Sequence, residues 1–122
     1  MPNAMRLTVE GFSDSQTPFL SPSNVGEMLG LTNAELAKLV GVARNTLAAK
    51  TGRRKVDQAL SPIVRILAMA TEMAGDEHRA AIWFKHQPIP GWAGKTAYDL
   101  VGEGKSDKVL AYLEAVRSGV YA

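Results

Sequence analysis

The side chains best equipped for chemistry in this chain are gathered between residues 44 and 55. That stretch holds Arg44, Lys50, Arg53, Arg54 and Lys55, five of the chain's 14 basic residues, and none of its 12 acids. The acid-free run extends from residue 36 to residue 56. Asn45 and Thr46 stand beside the first arginine. Arginine makes a bidentate pair with guanine and asparagine with adenine, so Arg44, Asn45 and Thr46 have side chains that read base edges. Lys50, Arg53, Arg54 and Lys55 suit phosphates, contacts that position a protein without reading sequence. The net charge is only +2, and beyond residue 60 seven basic residues balance seven acids. A local basic patch on a nearly neutral protein suits a DNA-contacting element. A solvated face rich in arginine and lysine is the plainer reading of the same residues.

No comparable set exists for catalysis. His78 and His86 lie eight residues apart around Trp83, with no third ligand near, and read as surface histidines. Asp76 and Glu77 fall at a helix start, where acids favour the positive end of the helix dipole. Ser21, Ser23 and Ser61 read as caps or turn residues. Gly102-Glu103-Gly104-Lys105 has the letters of a phosphate loop, but no strand precedes it. The chain has no cysteine, which excludes a disulfide framework, a thiolate nucleophile and a cysteine metal site. The expectation is no enzyme, no metal and no cofactor.

The elements that must position these residues read as helices throughout. Ser21-Pro22 is a cap followed by proline at the first helical position, and the helix runs to Leu29 and stops at Gly30. Val25, Met28 and Leu29 form its apolar stripe. Thr32 and Glu35 have the spacing of a capping box, opening a short helix with Leu36, Leu39 and Val40 inward. Gly41 breaks that helix, Val42 follows as a buried plug, and a third helix covers about residues 43–50, ended by Thr51-Gly52. Ser61-Pro62 repeats the Ser-Pro start, predicting a longer helix from there to Ala74. Its stripe is Ile63, Ile66, Leu67, Ala70, Met73 and Ala74, read as core with a dimer face near it.

Beyond Gly75 a helix is predicted over about residues 77–85, with Trp83 and Phe84 as core. The stretch 87–94, with two prolines and two glycines, must be an ordered turn. Thr96 and Asp99 open a short helix that ends near Gly102. Ser106 is expected to cap a last helix with Val109, Leu110, Leu113 and Val116 inward and Gly119 at its stop. No strand alternation or hairpin signal appears, so the class is all-α. Residues 1–20 have no period and read as a flexible N-terminal arm. No apolar run approaches the ~20 residues that span a bilayer, and residues 1–10 lack a secretory signal, so a cytoplasmic protein is expected.

Residues 33–50 have the arithmetic of a helix-turn-helix, with Ala34 and Ala37 allowing close approach of its two helices. Its second helix would enter the major groove by Arg44, Asn45 and Thr46. The downstream pattern Ala81-Ile82-Trp83-Phe84, Pro88, Pro90, Gly94-Lys95-Thr96, Leu100, Val109, Leu113 and Gly119 resembles the toxin-binding domain of Xre/MbcA/ParS-type antitoxins. Residues 21–74 look like the Xre-type helix-turn-helix that precedes it, and the resemblance covers about residues 21–121. One departure is Ala97, where the family pattern leads one to expect proline; alanine tolerates that first helical position. Another is Trp92, where a smaller aliphatic residue would be unsurprising.

With the arm at 1–20, the resemblance implies an Xre-like helix-turn-helix domain, 21–75, and a toxin-binding domain, 76–122. It also implies an antitoxin that neutralises a RES-type toxin, an NAD-consuming or ADP-ribosylating enzyme, and that binds operator DNA, as a homodimer, to regulate its own operon. The region facing the toxin's cleft would be Arg117, Val120, Tyr121 and Ala122. A stand-alone helix-turn-helix regulator with a C-terminal dimerisation module is the alternative, and a pure interaction module whose helix-turn-helix no longer touches DNA is a third reading.

Overall fold

The boundaries of the first two helices are written in a side chain or a glycine. In the computed structural model, which describes residues 21–48 and 53–119, α1 spans Pro22–Leu29. The Ser21 hydroxyl accepts the Asn24 amide at 3.3 Å. The helix ends at Gly30, in the left-handed conformation, with the Leu31 amide reaching back to the Gly26 carbonyl at 2.8 Å. α2 spans Asn33–Val40 and opens with the reciprocal Thr32–Glu35 capping box. A left-handed Gly41 turns the chain into α3, Arg44–Ala48. The predicted end of that helix at Thr51-Gly52 lies outside the described residues.

α4 spans Arg53–Ala74 and corrects the reading of Ser61-Pro62 as a helix start. Pro62 lies inside the helix, where it forfeits one backbone bond to the Gln58 carbonyl, at a cost of about 3 kcal/mol. The helix persists because its apolar stripe continues upstream of the proline. Val56 and Leu60 are buried in register with Ile63, Leu67 and Ala70, so burial on both sides overrides the local penalty.

α5, Glu77–His86, is capped by Asp76, whose carboxylate accepts the Arg79 amide at 2.7 Å. A turn then closes on an isolated antiparallel bridge between Pro88 and Thr96. α6, Ala97–Gly102, begins with a second capping box, Thr96 with Asp99. α7 spans Ser106–Arg117. Its N-cap is Lys105 rather than Ser106, and no side chain caps it, because Ser106 is already inside the helix. Instead, the Lys105 amide donates to the Leu100 carbonyl at 2.8 Å and ties the two helices directly. The described residues contain seven helices and no strand beyond that single bridge, so the all-α class holds.

α4 is the spine. It packs along α5 and α7, while α1 rests on α2 and α5, and α2 rests on α3 and α6. One buried cluster runs unbroken from Val25 through Leu36, Leu60, Ile66, Phe84 and Leu100 to Leu113. A long-range tie crosses it at the surface: the Lys85 ammonium donates to the Leu29 carbonyl at 3.0 Å, meeting the negative end of α1. Val42, expected as a buried plug, is half-buried at the α2–α3 turn, packed against the core's edge.

Candidate functional site

The basic patch is built on α3 and the start of α4. Leu47 is buried, which fixes the roll of α3 and leaves Arg44 and Asn45 exposed. Thr46, beside Leu47, is half-buried. Arg53 is the first residue of α4, and Arg54 and Lys55 are exposed in its first turn. Lys50 lies outside the described residues. α3 and the start of α4 are adjacent in the chain and in contact, so these positions belong to one corner of the molecule.

The opposite half presents a different surface. α4, α5 and α7 leave an open apolar groove of about 220 Å³ between them. Ala70, Met73 and Ala74 of α4 form one wall and Trp83 of α5 another. Tyr112 and Val116 of α7 close it over Leu113, and none of these lining residues carries a formal charge. Met73, expected inward, is 39% exposed because it lines this open groove; Trp83, expected in the core, is half-buried as a groove wall. Phe84, its neighbour, is fully buried and meets Tyr98 edge-on at 6.2 Å. Reading the stripe alone missed this opening. In the sequence only the small pair Ala70 and Ala74, one turn apart, hints at it; the aromatic residues they face come from other helices.

The connection between α5 and α6 is stiff. The Ile89 amide donates to the Lys95 carbonyl at 2.8 Å, and Ile89 itself is 2% exposed, anchoring the turn in the core. Ala93 has φ of 53°, a conformation that disfavours any Cβ, between left-handed Gly91 and Gly94. Glu103 holds Lys95 at 2.8 Å and Lys105 at 3.2 Å, and Lys105 lies over the Trp92 ring at 5.6 Å. Hydrogen bonds from Lys95 first, then Lys105, hold the Glu103 carboxyl below its ordinary value. Ala97, the departure noted in the sequence, occupies the first position of α6 and is fully buried.

Arg117 ends α7 on the surface, where Glu114 holds it at 2.6 Å. The Gly119 amide bonds the Val116 carbonyl at 3.0 Å, turning the chain off the helix. Val120, Tyr121 and Ala122 lie outside the described residues. His78 and His86 are both exposed on α5.

Residues 69–119 match the family described as the antitoxin Xre/MbcA/ParS C-terminal toxin-binding domain. This segment therefore carries the toxin-binding domain of that antitoxin family. The matched segment begins in the last turns of α4 and takes in all of α5, α6 and α7. The apolar groove, the Pro88–Thr96 turn and Arg117 all lie within the matched toxin-binding domain, and the basic corner lies outside it. No curated protein and no solved structure matches the chain. Among the described residues no helix is long and apolar enough to cross a membrane.

Proposed function

We propose that this chain neutralises a RES-type toxin, an NAD-consuming or ADP-ribosylating enzyme, and represses the operon that encodes the pair. The observation that carries the reading is the toxin-binding domain over residues 69–119. Arg117 and the tail residues Val120, Tyr121 and Ala122 would reach the toxin's cleft. Arginine and tyrosine are the types enriched at interface hot spots. The antitoxin holds its partner and performs no chemistry on it.

The operator would be read by the basic corner. Arg44, Asn45 and Thr46 open α3 and meet base edges, while Lys50, Arg53, Arg54 and Lys55 meet phosphates. The exposure of Arg44 and Asn45, with Leu47 holding the helix from behind, supports this assignment. A homodimer would place two such helices on successive half-sites.

The test is co-expression with the protein encoded by the adjacent gene, scored by pull-down and by rescue of growth. A stable complex that restores growth is expected. In the same complex, Arg44→Ala with Asn45→Ala should weaken operator binding by at least about 30-fold, since each bidentate base contact is worth about 1–3 kcal/mol. Toxin binding should be unchanged, and the wild-type DNA affinity should fall steeply with salt. Absence of both complex and toxicity would leave a stand-alone regulator with a C-terminal dimerisation module. A shallow salt dependence would remove the DNA half of the reading.

A further inference from the structure

We infer that the groove between α4, α5 and α7 is a receptor for one aromatic or leucine-sized side chain of the toxin, a second point of attachment beside the C-terminal segment. This rests on the toxin-binding reading above and assigns it a surface. The groove lies wholly within the toxin-binding domain, since its lining runs from Ala70 to Val116 and the domain from residue 69 to 119. It is also continuous with the end of α7, because Val116 lines it and Arg117 is the next residue. A toxin seated at Arg117 therefore passes the groove mouth.

The chemistry of the walls specifies the occupant. Trp83 and Tyr112 offer ring faces and edges, and Met73 offers a thioether, a group that favours aromatic contact. A charged guest would find no formal charge in the lining. At about 220 Å³ the opening exceeds the ~150 Å³ apolar cavity known to admit benzene, so one ring or branched aliphatic group fits, and a whole helix does not. The two large hydrophobic side chains exposed among the described residues, Met73 and Ile82, both belong to this domain. A lone exposed apolar side chain is ordinary, whereas one continuous with an apolar groove extends a patch of the kind that marks an interaction surface. Met73 adjoins this one as part of its lining, and Ile82 does not line it.

That difference supplies the experiment. The probe is the toxin encoded beside this chain, titrated against the full-length antitoxin. Ala74→Phe fills the groove from its wall, and Met73→Glu puts a charge at its mouth. Neither removes a fully buried group, and circular dichroism confirms that each variant keeps its helices. Each should weaken the complex by about 30-fold, the scale of a hot spot. Ile82→Glu, a control outside the groove that is somewhat more exposed than Met73, should change affinity by less than about 3-fold. In a Trp92→Phe background Trp83 is the sole tryptophan, and its emission should shift to the blue when the toxin binds.

Wild-type affinity retained by both groove variants would overturn the inference while leaving the toxin-binding reading intact. Failure of the wild-type chain to bind the toxin at all would remove that reading and the inference with it. A Trp83 shift that follows the antitoxin's own concentration would give the groove to a second copy instead. Shielding of Trp83 from quencher in the free chain, relieved by deleting residues 120–122, would give it to the tail.

Discussion

The corner around α3 and the domain from residue 69 to 119 are both exposed, but in opposite chemical terms. In the first, what faces water is cationic: Arg44, Arg54 and Lys55, with every nearby large hydrophobic side chain at least half-buried among the described residues. In the second, several charges are tied to one another, Lys95 and Lys105 to Glu103 and Arg117 to Glu114, and the groove beside them is apolar. Beneath both lies one continuous core. The proposed division of labour is thus one between two surfaces laid over a shared core. A cationic surface binds through phosphates and responds to salt, whereas an apolar groove binds by burial and responds little. On the proposed reading, a single small core would serve two partners whose affinities respond to different conditions.

The largest expected effect abolishes the contrast by removing what both regions share. Phe84 is fully buried and contacts Tyr98, so Phe84→Ala should cost about 3–5 kcal/mol. Against a small domain's stability of about 5–15 kcal/mol, both binding activities should decline together with the unfolding midpoint. Thermal unfolding followed by circular dichroism checks this. Loss of one activity alone, with an unchanged midpoint, would mean that the two surfaces rest on separate cores.

A smaller effect is expected where the regions meet. Lys85 of the toxin-binding domain donates to the Leu29 carbonyl at the end of α1. Lys85→Met keeps the apolar stem and removes the donor, which should destabilise the fold by about 1 kcal/mol. Hydrogen exchange should quicken at the C-terminal end of α1 and leave α7 protected. Uniform acceleration across all helices would show instead that the contact acts on global stability.

Much of this architecture is legible in the chain because local chemistry and burial agree. Ser21, Thr32 and Thr96 each cap the helix their spacing announces, and Gly30 and Gly41 each stop one in the left-handed conformation. Pro62 is where they disagree. A local start signal lost to a stripe extending to Val56, a contest decided by tertiary packing that no short window contains. The basic corner is legible because charge clusters along the sequence. The groove is not, because its walls come from three helices, and the gap among Ala70, Trp83 and Tyr112 exists only once those helices are packed.

The smallest expected effect is electrostatic and separates the regions by acid. On α2, which packs against α3, the Thr32 backbone amide, then the Thr32 hydroxyl, hold Glu35 below its ordinary value of 4.5. In the second, Lys95 and then Lys105 do the same for Glu103. A carboxyl whose value is lowered by folding contributes stability that is fully present above its unfolded value and disappears as pH falls through its folded one. Both contributions should therefore be intact at neutral pH and fade only below about pH 4.5. Glu35→Gln keeps a capping amide but no titration, and Glu103→Gln removes the charge that gathers the two lysines. Each should flatten the fall of the melting temperature on acidification, Glu35→Gln through α2 and Glu103→Gln through the α5–α6 turn. Amide exchange at pH 3.5 should assign the change to the half that carries the substitution. If both substitutions alter exchange in the same amides, the acid response belongs to the shared core, and the contrast between the regions is confined to what they bind.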